Sequence, residues 1–138
     1  MNWKIWMSIV LMGSLVASVA VARPPYRLQA ITQFYLVADK NNVRTVGCIY
    51  CHVSPNGGAP WNPFGENVRA NFKGNISQAL YDALKANKDS DGDGYTDVLE
   101  VFAGTLPGDP NSKPLVDPAF LQQSLDKAGG VDLYKPAQ

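Results

Sequence analysis

The chain has 138 residues, with twelve basic and twelve acidic side chains and a formal net charge of zero. Such a balance provides no electrostatic attraction to nucleic acid or to a charged membrane surface, so we expect neither as a partner. The length suits one domain with one hydrophobic core, and the sequence contains no internal repeat and no low-complexity segment.

The first 22 residues have the composition of a secretory signal peptide. A positive start at Lys4 is followed by an apolar run over residues 5–16 and by small residues that suit cleavage before Arg23. The apolar run is short for a membrane-spanning helix, which needs roughly 20 residues. We therefore predict export to the periplasm, the cell surface or the medium, with one domain over residues 23–138 and no membrane span in it.

The CxxCH motif at residues 48–52 has the spacing of c-type haem attachment. Each thiol of Cys48 and Cys51 can add to one haem vinyl group, and His52 then lies under the iron as an axial ligand. The chain contains no other cysteine and no other histidine. Three alternatives remain open: a disulfide, a thioredoxin-like redox pair, and half of a zinc site. The redox pair usually occurs in a βαβ context, and zinc usually takes four ligands.

A second motif, the acidic loop at residues 89–100, matches the calcium-loop pattern D-x-[DN]-x-[DN]-G-x5-E at every position. The alternative is a solvated acidic loop, but five carboxylates in twelve residues would repel one another without a cation. Calcium is favoured over magnesium, which keeps its waters and rarely uses an all-protein cage. The oxygen ligands expected are the side chains of Asp89, Asp91, Asp93, Asp97 and Glu100 and the backbone carbonyl of Tyr95.

The calcium site is predicted to be structural. It is a single loop, and its exit helix over residues 98–103 is short and is stopped by Gly104. Sensor EF-hands, by contrast, work by reorienting helix pairs.

The remaining pattern is helical, with no alternating strand pattern, so the predicted fold class is all-α. Further helices are predicted over residues 27–38, from Pro63 to Gly74, from a Ser77 cap to Ala86, and from an Asp117 cap to Gly129. Their predicted apolar faces include Leu28, Ile31, Phe34, Tyr35, Phe64, Val68, Phe72, Ile76, Leu80, Leu84, Phe120, Leu121 and Leu125. The tail from Val131 is predicted to be loosely held. Trp61 and Phe64, in and after a Gly/Pro-rich loop, either pack against a porphyrin or are ordinary core aromatics.

Together these features resemble exported bacterial monohaem c-type cytochromes that carry an EF-hand or thrombospondin type 3-like calcium loop. The resemblance rests on the CxxCH motif, residues 62–65, the acidic loop and residues 104–114. It implies a small cytochrome c-like domain around one haem, with thioethers at Cys48 and Cys51, iron ligation by His52, and a calcium ion. It also implies electron transfer rather than enzyme catalysis, a redox partner protein, and possible assembly with other haem proteins.

One feature departs from typical small cytochromes c, which place a methionine on the far side of the iron. All three methionines of this chain, Met1, Met7 and Met12, lie in the predicted signal peptide. An open or water-bound iron is therefore favoured, followed by a Lys, Tyr or Asn ligand, a partner's ligand, or the α-amino group of Arg23. Two alternative functions follow: an open-site haem protein for gas or peroxide, and a calcium-dependent interaction module with a disulfide and no haem.

Overall fold

A computed structural model describes residues 24–36 and 47–137 of the chain. Within these ranges the fold is helical and contains no β-strand, which confirms the all-α prediction. The helices are α1 (Pro24–Gln33), α2 (Pro63–Asn71), α3 (Ile76–Lys85), α4 (Asp97–Ala103) and α5 (Pro118–Ala128), with 3₁₀ turns at Cys48–Tyr50 and Gly130–Tyr134. The predicted signal peptide, Arg23 and residues 37–46 lie outside the described residues. None of the described helices combines the length and the apolar character needed to cross a membrane.

The start of α2 follows directly from the sequence. Asn62 is the N-cap, and its side-chain oxygen accepts a hydrogen bond from the Gly65 amide at 2.8 Å. Pro63 occupies the first turn, where its missing N–H costs nothing, as predicted. The helix ends at Asn71, and Phe72 is already its extended C-cap. Phe72 is consequently 39% exposed, and its predicted place on the buried face is wrong.

The predicted N-cap of α3 is wrong by two residues. The helix begins at Ile76, so the residue that precedes it, Asn75, is the cap and accepts from the Gln78 amide at 3.2 Å. Ser77 lies inside the first turn, and its hydroxyl donates to the Asn75 side chain at 2.9 Å. Asn and Ser are about equally good caps, so the composition alone does not distinguish the two positions.

The predicted ends of α4 and α5 are confirmed. Each helix stops at a glycine in the left-handed region, Gly104 with a φ of 78° and Gly129 with a φ of 116°. Asp117 caps α5 as predicted, accepting from the amides of Ala119 and Phe120. The first helix is shorter than predicted, because α1 ends at Gln33. Tyr35 has a φ of 51°, in the left-handed region, which a right-handed helix cannot include.

Aromatic side chains from four separate segments meet in the core. Phe34 lies 6.1 Å from Tyr50 and 6.3 Å from Phe64, measured between ring centroids, and Tyr134 meets Phe34 edge to face at 5.8 Å. Tyr134 is 2% exposed, and its carbonyl accepts a hydrogen bond from the Gln33 side chain at 2.9 Å. The tail is therefore packed as far as Tyr134, and the prediction of a loosely held tail is wrong for this stretch.

Three further apolar residues predicted to face inward are exposed. One residue along a helix is about 100° of rotation, so Leu121 and Leu125 point into the core while Phe120 falls outside it. Leu28 lies on the outer side of α1, and Tyr35 follows its end. Phe64, with no exposed surface, is a core aromatic.

Candidate functional site

The CxxCH turn (residues 48–52) is one tight helical turn. The amides of Cys51 and His52 both donate to the Cys48 carbonyl, at 3.1 and 2.8 Å. Positions three and four residues apart on a helical turn lie on the same face. The turn therefore gathers both thiols and the imidazole on one side of the backbone. Both cysteines are free thiols and half-buried.

The Cys51 thiol ionises only at high pH. Burial, with a smaller contribution from Cys48, raises the pKa of the Cys51 thiol to about 12. The thiolate is the nucleophile in disulfide exchange, and a redox pair needs only one cysteine with a lowered pKa, so the raised pKa of Cys51 leaves the thioredoxin-like alternative open.

The His52 ring is oriented by a backbone carbonyl. Its Nδ1 atom lies 2.6 Å from the Gly58 carbonyl oxygen. A carbonyl can only accept, so Nδ1 carries the hydrogen and donates it. In the neutral form of the ring the lone pair is then on Nε2, which has no hydrogen-bond partner among the described residues. A donated Nδ1–H and a free Nε2 are the arrangement of a metal-binding histidine.

The loop after the CxxCH turn folds back on it. The Val53 amide donates to the Pro60 carbonyl at 3.1 Å, and the Asn62 amide donates to the Cys51 carbonyl at 3.0 Å. This short bridge sets Trp61 opposite His52, with the two ring centroids 4.1 Å apart and the planes inclined by 34°. The Gly/Pro-rich loop therefore supplies two contacts to the same imidazole.

Helix α2 is seated on the backbone of the CxxCH turn. The Asn62 side chain donates to the Ile49 carbonyl at 2.8 Å while its oxygen caps the helix. A Cβ atom at Gly65 would lie 1.8 Å from the Cys51 carbonyl oxygen, so only glycine permits this approach. Ile49 follows Cys48 and Val53 follows His52 in the chain, and these two apolar side chains are 42% and 61% exposed.

The acidic loop (residues 89–100) brings three of its predicted ligands together. One carboxylate oxygen from each of Asp89, Asp91 and Asp93 lies within 4.8 Å of the other two. Asp89 also accepts hydrogen bonds from three loop amides, including that of Gly94 at 2.9 Å. Gly94 has a φ of 100°, as the predicted sharp turn requires.

Several carboxylate oxygens in this loop lack partners. One oxygen each of Asp91, Asp93 and Glu100 is buried with no hydrogen bond from the described residues. Burial, followed by the charges of Asp91 and Asp93, raises the pKa of Glu100 to about 9. Burial, followed by the charge of Asp93, raises that of Asp91 to about 6. Buried, unpartnered carboxylates of this kind fit a divalent cation, which would supply the missing charge.

The side chains of two predicted ligands, Asp97 and Tyr95, are already engaged in hydrogen bonds. Asp97 is fully buried, and its two oxygens accept from the Ser90 amide, the Ser90 hydroxyl and the Asn67 side chain at 2.7 to 2.9 Å. These bonds suit a ligand that acts through water, as the ninth loop position often does. The Tyr95 hydroxyl donates to the Val116 carbonyl at 3.0 Å, which leaves its backbone carbonyl as the predicted ligand.

Three contacts of the candidate sites were not predicted from the sequence: those of Gly58, Asn67 and Asn62. The Gly58 carbonyl and the buried Asn67 amide group carry no sequence signal for the bonds they make. Asn62 could have been recognised as a cap from its place before Pro63.

Comparison with protein-family models, with curated proteins and with solved structures found no match to this chain.

Proposed function

We propose that the protein is an exported electron carrier that holds one covalent haem c and is stabilised by one calcium ion. Cys48 and Cys51 would form the thioethers, and His52 would bind the iron. When bound, haem supplies a centre that accepts and releases single electrons. The observation that carries the proposal is the His52 ring, which donates Nδ1–H to Gly58 and keeps Nε2 free beside two free thiols.

The residues of the turn have separate roles in this proposal. The Gly58 carbonyl holds the Nδ1 proton, which fixes the tautomer of His52 and increases the basicity of Nε2. The exposed apolar side chains of Ile49 and Val53 would lie beside the attached group, where a flat apolar ring system could cover them. Both thiols and the only histidine are then committed, so no Ser-His or Cys-His pair is left for enzyme catalysis.

The calcium part of the proposal rests on unpartnered oxygens. The clustered carboxylates of Asp89, Asp91 and Asp93 supply ligands, and the free oxygen of Glu100 suits the bidentate position at the end of the loop. Asp97 would act through water and Tyr95 through its carbonyl. Because this is one loop with a short exit helix, the ion would stabilise the fold rather than switch it.

Export belongs to the same proposal. The first 22 residues have signal-peptide composition, and we expect haem attachment outside the cytoplasm. The electron donor and acceptor would be redox proteins of the periplasm or the cell surface, where assembly with other haem proteins is possible.

An open-site haem protein that binds a gas or peroxide is the second candidate function. It is favoured by one observation, the absence of methionine and of any second histidine from residues 23–138. The two commonest ligands for the far side of the iron are then missing from the mature chain.

Mass spectrometry of the exported protein tests the central proposal. We expect the mass of residues 23–138 plus that of one haem. The Cys48→Ser and Cys51→Ser variants should each lose one of the two thioether bonds. A bare polypeptide with a Cys48–Cys51 disulfide would refute haem attachment and favour the calcium-dependent interaction module.

The visible spectrum then separates the two haem functions. We expect no sulfur-to-iron band at about 695 nm, because residues 23–138 contain no methionine. A high-spin ferrous spectrum that changes readily with carbon monoxide would favour gas or peroxide chemistry. A low-spin ferrous spectrum that resists carbon monoxide would favour the electron carrier, with a nitrogen or oxygen ligand on the far side.

A further inference from the structure

Trp61 makes a contact that the proposed haem attachment does not itself require. Its indole ring covers one face of the His52 imidazole at a centroid distance of 4.1 Å. The ring is half-buried and makes no contact with the core aromatics, unlike its neighbour Phe64. Residues 23–138 contain no other tryptophan. A large aromatic side chain at the surface, placed against the candidate iron ligand, points to a role at that ligand.

The backbone holds Trp61 in register with His52. The hydrogen bonds from Val53 to Pro60 and from Asn62 to Cys51 flank the pair on both sides. The indole therefore reaches the imidazole from a fixed strand-like bridge rather than from a free loop end.

Two contacts act on the His52 ring from different directions. The Gly58 carbonyl fixes the position of Nδ1 at one edge of the imidazole. The covalent bond at Cγ and this hydrogen bond together set the torsion of the ring, but N–H···O angles down to about 150° are favourable, which leaves the ring plane some freedom. Trp61 packs against the face of the ring and narrows that freedom.

We propose that Trp61 is a positioning residue that fixes the plane of the His52 imidazole relative to the haem. This inference rests on the proposed function, since it assigns Trp61 a role toward the iron ligand. Residues that touch a metal ligand without binding the metal orient that ligand and tune the electronic properties of the metal.

Proton NMR of the ferric protein with cyanide bound measures the ring plane directly. Cyanide is linear and imposes no plane of its own, so the order of the shifted haem-methyl resonances follows the orientation of His52. We expect Trp61→Phe to keep the wild-type order and Trp61→Leu and Trp61→Gln to change it. Phe64→Leu is the matched control: it removes a buried aromatic that does not touch His52, so it should lower the melting temperature and keep the order.

The possible outcomes separate this inference from the proposed function. An exported chain without haem refutes the function. A haem-bearing Trp61→Leu protein with the wild-type methyl order refutes only the role of Trp61. Loss of haem from both Trp61→Leu and Trp61→Gln, with helical circular dichroism retained, would also refute it, because Trp61 would then serve haem attachment instead of ring orientation.

Discussion

Glu100 is the residue whose charge state matters most to the acidic loop. Its side chain is fully buried, and burial raises its pKa from an ordinary 4.5 to about 9. The folded chain therefore binds this proton more tightly than the unfolded chain does. Without a cation, the stabilising contribution of protonated Glu100 is fully present below pH 4.5 and is lost as the pH rises towards 9.

We expect the melting temperature of the chelator-treated protein to fall between about pH 5 and about pH 8. Calcium should remove most of this decline, because the cation replaces the proton as the partner of the carboxylate. Glu100→Gln keeps the shape without the charge and should flatten the profile of the chelated protein. Thermal melts followed by circular dichroism measure both effects, and a decline that persists unchanged in Glu100→Gln would contradict this assignment.

At the scale of the elements, the helix caps show where local signals suffice and where they do not. Asn75 caps α3, whereas Ser77 only donates to the cap. Asn75→Ala should lower the free energy of unfolding by about 1 kcal/mol, the usual cost of losing an N-cap. Ser77→Ala is the control and should cost less than half as much in the same urea titration. Equal losses would mean that both residues act together as the cap.

Much of the element pattern could be predicted because single residues determine it. Pro63 and Asn62 mark the start of α2, and Gly104 and Gly129 end two helices through their positive φ. The packed tail could not be predicted in this way. Tyr134 is buried because it contacts Gln33 and Phe34, about a hundred residues earlier in the chain. No local sequence pattern predicts such a contact.

The candidate site shows the same division. The possible ligands in the CxxCH motif and in the acidic loop can be predicted from their spacing. Haem attachment and calcium binding each need particular residue types at fixed positions. Their partners depend on tertiary contacts. The Gly58 carbonyl reaches His52 only after the loop folds back, and Asn67 reaches Asp97 only after α2 packs beside the acidic loop.

Removal of calcium tests whether the acidic loop stabilises the fold through a bound ion. A ligand that binds only the folded state at a hundredfold excess over its Kd stabilises that state by about 2.7 kcal/mol. For a domain of this size the melting temperature should fall by roughly 10 °C on chelation, and haem attached as proposed should stay bound. Glu100→Ala should have the same effect, whereas Asp109→Asn, an acidic residue outside the loop, should not. A melting curve unaffected by chelator would exclude a structural calcium ion.

At the scale of the whole molecule, two routes join the acidic loop to the CxxCH turn. Asn67, in the middle of α2, donates to Asp97 at 2.9 Å, and Asn62, the N-cap of the same helix, donates to the Ile49 carbonyl. In the loop after α4, Gly108 lies so close to Asn62 that a Cβ atom there would be 2.5 Å from the Asn62 side chain. Both routes end at Asn62, so order in the acidic loop should extend to the turn.

Hydrogen exchange of the amides of Val53 and Asn62, which close the loop over His52, measures this coupling. Calcium should slow their exchange about 5-fold or more, the lower end of typical coupling between two sites. Asn67→Ala removes the bond to Asp97 and should reduce that calcium-dependent change. Arg69→Ala, on the same helix, loses only an exposed ion pair with Glu66 and should leave the change intact. If calcium protects the amides of the acidic loop but leaves those of Val53 and Asn62 unchanged, the two sites are independent, and calcium stabilises only the half of the fold in which it binds.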